Sequence, residues 1–427
     1  MLRIGYLGLG AMGGALSTHL AKGFDLAVYD HSPEAMAKLV SHGAQAVNSP
    51  AELARRSDII LLCLPRTTDV QNALFGSGGL AEGLSASKLV IDQTSGVPSL
   101  THAIAQRLEL QGIAMMDAPV SGGIPAAQNG TVTIIASGAD EAWMRAEPVL
   151  RAMTSKVFRC SARVGDGQAL KLVNNAIGAG YRMATLELVA LGRNVGMNLS
   201  MMVDALNTSD AANFTSRNML AGLVEGHSTT NFALSLMVKD LNEAMALGAV
   251  TTAAMPMTAG ARALMQIGLN VLVKDARLDD VIPLTEKLAD VVLKGDGPSA
   301  PSNEAEFLSA IMSVTILCNT IAVFECIAMG AKFGLPITEM ARILNVGSAW
   351  SAASEKILPA LANNAGPQLG ITLGEVAKAA KLVMGLSASA GVPLLLPNIA
   401  LGYLQSGLNA MEETADLGAL NNLFSKV

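Results

Sequence analysis

Lys171 sits in the run GDGQALKLVNNAIGAG, residues 165–180, which is otherwise dominated by glycine and apolar side chains. Lysine is among the residues least often buried, and an unpaired charge is expensive to bury, so its position needs a reason. Asn175 follows at i+4, on the same helix face about one turn away, and Asn174 at i+3 flanks the pair. Such a set could move a proton. A lysine whose pKa is lowered by burial or by a second positive charge can take the proton of a hydroxyl as hydride leaves for a nicotinamide. Lys239 could be that second charge, and Asn175 could hold a substrate hydroxyl or carboxylate in line. The plainer alternative is a snorkelling helix lysine.

A second constellation opens the chain. GLGAMG, residues 8–13, has the spacing Gly-x-Gly-x-x-Gly between a strand-like run and a helical one. Its glycines allow a tight turn and the close approach of a pyrophosphate at a helix N-terminus. Gly8, Leu9, Gly10, Ala11, Met12 and Gly13 are therefore candidate cofactor contacts. Asp30 ends the second strand-like run, 22 residues after Gly8. A carboxylate there can accept from an adenosine ribose and would repel a 2′-phosphate. The following residues are His31, Ser32 and Pro33, not arginine, so the pattern favours NAD, with NADP possible. Two further turns could complete a site. In DAPVSGG, residues 117–123, Ser121, Gly122 and Gly123 offer backbone N–H groups and a hydroxyl to a carboxylate at a strand end. In DQTSGVP, residues 92–98, Thr94 or Ser95 could touch the nicotinamide ribose or amide.

These residues need elements to position them. Strand-like runs at 2–7, 25–30, 58–65, 88–92, 113–119, 131–137 and 156–160 alternate with helical patterns. Their continuous apolar character fits strands covered on both faces, and the alternation implies a Rossmann-type doubly wound α/β domain over residues 1–162. After Cys160 the strands stop. The remainder of the chain reads as two tandem all-α domains, 163–296 and 297–427, with GDGPSAPSN (295–303) as the linker.

The two helical domains read as related. Residues 187–209 laid on 325–347 match at seven of 23 positions, against roughly two expected from this composition. The matches are Glu187/Glu325, Ala190/Ala328, Gly192/Gly330, Gly196/Gly334, Met202/Met340 and Leu206–Asn207/Leu344–Asn345. Pro256 finds a counterpart in Pro393. Features kept in both copies should serve the shared fold, and features in one copy only become candidates for chemistry. At this offset Lys171 faces Ser309 and Asn175 faces Ser313, and after a one-residue gap Lys239–Asp240 fall on Val376–Ala377.

Composition excludes other classes. Hydrophobic residues are 51% and charged residues 15%, which leaves little material for a disordered tail. A net charge of −6 and 4% aromatics argue against nucleic acid. Phe307–Phe324 is uncharged and long enough to span a membrane, but its hydroxyls, its amide and its lack of basic flanks fit a buried core helix better. The N-terminus has no leader-like pattern, and the four scattered cysteines read as reduced thiols, so a cytoplasmic protein is expected. The five dispersed histidines give no metal site.

The motifs together resemble the β-hydroxyacid dehydrogenase family, which includes 3-hydroxyisobutyrate, tartronate semialdehyde and 6-phosphogluconate enzymes. The resemblance rests on GLGAMG, Leu64–Pro65, DQTSGVP, DAPVSGG, GDGQALKLVNN and FALSLMVKDL (232–241), over roughly residues 1–290. It implies that Lys171 is the catalytic lysine and that Asn174, Asn175, Ser121, Gly122, Gly123, Phe232 and Asp240 line the substrate site. It also implies that Leu64, Pro65 and Ser95 lie near the cofactor and that Lys239 closes the nicotinamide pocket. The substrate would be a small 3-hydroxy acid, converted to its semialdehyde or keto form or made from it, and the enzyme a homodimer or higher homo-oligomer. Asn174–Asn175 stands where the 6-phosphogluconate enzymes carry His-Asn, and Gly178 where they carry a glutamate, which disfavours sugar-phosphate decarboxylation. In the shorter family members a partner's helical unit packs on the first; residues 297–427 are expected to supply that contact within the chain. Reduction of an imine, or dinucleotide sensing without turnover, are the competing readings.

Overall fold

The computed structural model describes residues 2–295 and 302–424, so most of the expected linker and its domain boundary lie outside the described residues. Two compact units emerge, Met1–Lys171 and Leu172–Val427.

The first unit is built on nine strands: β1 (Arg3–Leu7), β2 (Asp25–Tyr29), β3 (Gln45–Ala46), β4 (Ile59–Leu62), β5 (Leu89–Asp92), β6 (Ala114–Asp117), β7 (Val120–Ser121), β8 (Thr133–Ser137) and β9 (Lys156–Ser161). They pair in the order β3-β2-β1-β4-β5-β6-β8-β7, with β9 added to β8. β3 to β6 run parallel, whereas β8 is antiparallel to β6 and β7. The seven strand-like runs are all strands. β3 and β7, two residues each, have no periodicity to read. Alternation across the sheet explains the continuous apolar runs: Ile59 and Leu61 enter one buried cluster, Ile60 and Leu62 the other. Helices α1 (Ala11–Leu20), α2 (Pro33–Val40), α3 (Pro50–Arg56), α4 (Thr67–Phe75), α5 (Pro98–Glu109), α6 (Gly123–Gln128) and α7 (Asp140–Arg151) join the strands.

Helix α8, Asp166–Asn194, begins in the first unit and continues into the second. The second unit then holds α9 (Leu199–Asn207), α10 (Ala221–Glu225), α11 (Leu234–Val250), α12 (Pro256–Val271) and α13 (Val281–Ala289). Beyond the undescribed segment come α14 (Glu304–Phe333), α15 (Ile337–Leu344), α16 (Ala352–Ala362), α17 (Leu373–Ala390) and α18 (Leu395–Ala410). Helix α14 is long and apolar enough to cross a membrane, yet 67% of its most apolar window is buried within the protein. It packs against α16, α17 and α18 as a core helix.

The residues matched at an offset of 138 make matched contacts in the second unit. A Cβ on Gly192 would fall 2.3 Å from Met202 Sδ, and one on Gly330 2.7 Å from Met340 Sδ. Gly196 and Gly334 both end their helices with left-handed φ, +99° and +97°. The Asn207 amide donates to the Ser216 carbonyl, and Asn345 Oδ1 accepts from the Ser354 hydroxyl. Asn213 and Ser351 form an antiparallel bridge in which Phe214 N–H donates to Trp350 O and Ala352 N–H to Ala212 O. Tyr181 reaches Ser351, and Asn319, 138 residues later, accepts from Asn213.

Candidate active site

In the first unit the glycine loop divides its work among three positions. Gly8 has φ +95°, and a Cβ there would lie 2.3 Å from Cys63 O; a Cβ on Gly13 would lie 2.0 Å from Gly8 O. These two make the turn and seat α1. Gly10 is exposed, with nothing within 4 Å of its would-be Cβ, which is the open cradle that a pyrophosphate requires. Ala11 is exposed and Met12 half-buried at the first turn of α1. Asp30 stands at the end of β2, its carboxylate accepting from Leu9 N–H (2.6 Å) and Ser32 N–H (2.8 Å). His31 is exposed and meets Tyr29 edge-on. The residues present thus fit a dinucleotide.

The two candidate hydroxyls after β5 separate. Thr94 is buried, and its hydroxyl accepts from Leu64 N–H at 3.1 Å, joining the ends of β4 and β5. That bond ties the Thr94 hydroxyl to the fold and leaves its proton to donate. Ser95 is half-buried and accepts from the Lys171 ammonium, while Pro65 is exposed beside half-buried Leu64.

Lys171 is only 5% exposed. Its position follows from how the N-terminus of α8 is held. Asp117, at the end of β6, accepts from the Ser137 hydroxyl, from Gly165 N–H (2.7 Å) and from Gln168 N–H (2.8 Å). Burial pushes the Asp117 carboxyl up to about 7, against the pull of these donors. The Gln168 amide donates to Asp92 Oδ2 (3.1 Å) and Thr94 O (3.0 Å), fixing α8 to the end of β5. Gly165 and Gly167 permit this approach: their Cβ atoms would lie 2.6 Å from Pro98 O and 2.4 Å from Ile135 O. The GDG turn before the lysine is therefore a clamp. Gln168 and Asp92 were not singled out by type or spacing, although both lie inside quoted motifs. The Ser121-Gly122-Gly123 turn spans β7 and the start of α6, with φ of +128° and +76° at its glycines.

In the second unit the amides are locked. Asn175 Nδ2 donates to Asp240 Oδ2 at 2.7 Å, and Asn175 Oδ1 accepts from Asn174 Nδ2 at 3.1 Å. Asn174 also donates to Ser348 Oγ (2.9 Å) and accepts from Ala349 N–H (3.2 Å). Asp240 is thus the group that orients Asn175. Lys239, its neighbour on α11, lies 3.4 Å from Asp240 Oδ1 and 3.6 Å from Glu243 Oε1, so its charge is offset by two carboxylates. Phe232 is half-buried just before α11, its carbonyl accepting from Leu278 N–H. Ser348 escaped the sequence reading because no motif surrounds it. Gly178 was the available signal: a Cβ there would lie 3.0 Å from both Ser348 O and Ser348 Oγ. At Gly178 the second helical half packs too closely to leave room for a side chain.

Comparison with known proteins gives the family. Residues 3–162 match the family described as the NAD-binding domain of 6-phosphogluconate dehydrogenase. Residues 165–285, and again 305–424, match the family described as NAD-binding of NADP-dependent 3-hydroxyisobutyrate dehydrogenase. The chain belongs to the β-hydroxyacid dehydrogenase family. Among its relatives, L-threonate dehydrogenase of Cupriavidus necator is 33% identical over 60% of this chain and 87% of its own length. The mitochondrial 3-hydroxyisobutyrate dehydrogenase of Homo sapiens is 33% identical over 61% of this chain and 79% of its own. The 6-phosphogluconate dehydrogenase of Plasmodium falciparum, 15% identical, superposes with a TM-score of 0.68 over 96% of this chain and 93% of its own. That likeness shows the fold, carried through both helical halves of this dehydrogenase. The N-terminal unit is an NAD(P)-binding domain.

Proposed function

We propose that the chain is an NAD-dependent dehydrogenase interconverting a small 3-hydroxy acid and its semialdehyde or keto form, with Lys171 as the proton-transfer group. One observation carries the reading: a nearly buried lysine, held at the end of β5 by Ser95, stands one helical turn from an amide whose orientation is fixed by a buried carboxylate. Bound at the glycine loop, the dinucleotide supplies the two-electron acceptor or donor.

The chain's own residues do the rest. Lys171, in its neutral form, takes the hydroxyl proton of the substrate, and in reduction it returns that proton. Asn175 has given one amide hydrogen to Asp240, which leaves the other to hold the substrate hydroxyl or carboxylate. Ser121, Gly122 and Gly123 offer backbone N–H groups to the carboxylate, and Phe232 borders the remaining substituent. Lys239, steadied by Asp240 and Glu243, closes the nicotinamide side. Asp30 favours NAD, since a 2′-phosphate beside its carboxylate would be repelled.

The matched contacts at an offset of 138 support reading residues 297–427 as a degenerate copy of 163–296. The buried α14 and the four cysteines, none of them in a disulfide, support a soluble, cytoplasmic enzyme, and the family resemblance supports a homo-oligomer. The test follows nicotinamide absorbance with NAD and NADP against a panel of 3-hydroxy acids including L-threonate and 3-hydroxyisobutyrate. Turnover with NAD that collapses in Lys171→Ala, with NAD affinity kept, is expected. NAD binding without turnover on any of them would sink the reading.

A further inference from the structure

We propose that Ser348, on the second helical half, is a positioning residue for the reaction at Lys171, holding the substrate amide Asn175 through Asn174. The inference rests on the dehydrogenase reading above. Helix α15 ends at Leu344, and the turn after it brings Gly347, Ser348 and Ala349 onto α8. Three groups converge on the Asn174 amide. Nδ2 spends its two hydrogens on Ser348 Oγ and Asn175 Oδ1, and Oδ1 accepts from Ala349 N–H. With Asp240 on the other side, Asn175 is gripped at both ends of its amide. Remove Ser348 Oγ and Asn174 loses the acceptor that selects its rotamer.

Two glycines keep this approach possible. A Cβ on Gly347 would lie 2.6 Å from Asn174 Oδ1, and one on Gly178 3.0 Å from Ser348. The turn is rigid at its far end, where Trp350 O and Ala352 N–H form the bridge with residues 212–214 and Ser351 meets Tyr181.

The internal repeat provides the control. The Tyr181–Ser351 contact has its counterpart in Asn319–Asn213, and each half of the bridge mirrors the other. The Asn174–Ser348 contact has no such mate: its counterparts would be Met312, which has no amide, and Asp210, which pairs with Lys356 at 2.8 Å. The bridge and the contacts flanking it are shared by both halves. The Asn174–Ser348 contact occurs once, on the half that carries Lys171 and Asn175.

The test is a double-mutant cycle on the full chain with NAD and whichever of L-threonate or 3-hydroxyisobutyrate the wild type turns over. Ser348→Ala should raise KM for the hydroxy acid and lower kcat/KM about tenfold, with NAD affinity unchanged and the chain still folded at the assay temperature. Ser348→Thr, which keeps the hydroxyl, should recover most of the loss. In an Asn174→Ala background Ser348→Ala should add nothing, because the two act through one amide. Unchanged kcat/KM in Ser348→Ala, or additive losses in the cycle, would overturn the role of Ser348 while the dehydrogenase reading stood. A wild type that binds NAD and turns over no member of the 3-hydroxy acid panel would overturn both.

Discussion

Glu187 and Glu325 cap each other's halves. Glu187, on α8, accepts from Leu395 N–H and Leu396 N–H at the start of α18, both at 2.9 Å. Glu325, on α14, accepts from Met257 N–H and Thr258 N–H at the start of α12, both at 2.8 Å. Donors and acceptors alike are 138 residues apart, so one contact has been made twice in opposite directions. A buried carboxylate would be a liability alone; here each satisfies two of the N–H groups that a helix N-terminus leaves without partners. The register also corrects one sequence match. The contacts align Pro256 with Leu394, which puts Pro393 one residue early.

Burial pushes both of these carboxyls up from 4.5 to about 7. Between those pH values the folded chain holds protons that the unfolded chain has released, so stability should rise as pH falls from about 7 toward 4.5. Denaturant unfolding at several pH values checks this. Glu325→Gln should flatten the slope and cost about 1–3 kcal/mol, since an amide offers one acceptor oxygen to two donors. An unaltered slope in the variant would refute the assignment.

Removing the lysine should separate chemistry from binding. Lys171→Ala is expected to lower kcat by about 10²–10⁴-fold, with NAD affinity and melting temperature preserved. Steady-state kinetics beside a cofactor titration gives the answer, and a residual rate within threefold of wild type would remove Lys171 from the reaction.

The glycine loop offers a contrast between neighbours. Gly13→Ala should destabilise the fold, because its methyl would meet Gly8 O at 2.0 Å, whereas Gly10→Ala meets nothing within 4 Å. Gly10→Ala should therefore leave thermal stability intact and weaken NAD about tenfold or more, by filling the space that the pyrophosphate needs. Equal effects of the two substitutions on stability would contradict this division.

Asp240 should act on the substrate through Asn175. Asp240→Asn can still accept from Asn175 Nδ2, but it withdraws a charge-assisted bond and half of the support of Lys239. A rise in KM for the hydroxy acid of about three- to tenfold is expected. Asp240→Leu, which cannot accept at all, should be worse in kcat/KM. If the two variants behaved alike, the amide would be held by something else.

How far the sequence led can be seen residue by residue. The glycine loop, Asp30, the lysine helix and seven strands were legible because each has a local signature: a fixed spacing, a continuous apolar run, or a charge where none is expected. β3 and β7 were not, being too short for any period. The partner of Thr94 was not legible either: its type fits ribose recognition, while the bond its hydroxyl accepts comes from Leu64, thirty residues away. Ser348 stayed invisible for the same reason on a larger scale: its partner lies 174 residues off. Gln168 and Asp117 lie inside legible motifs, yet only their partners show that they fasten the helix that presents Lys171.

The reciprocal caps have a consequence for dilution. Where a fold is closed by a second, separate copy, its completeness depends on protein concentration, and the copies part when the solution is thin enough. Here both members of every mirrored contact belong to one polypeptide, so closure is a unimolecular event with a constant effective concentration. The contacts between the two helical halves should therefore persist at dilutions where any association between separate chains is lost. A chain arranged this way also holds one lysine site per pair of helical halves, which frees the second half to diverge wherever it does not grip the first.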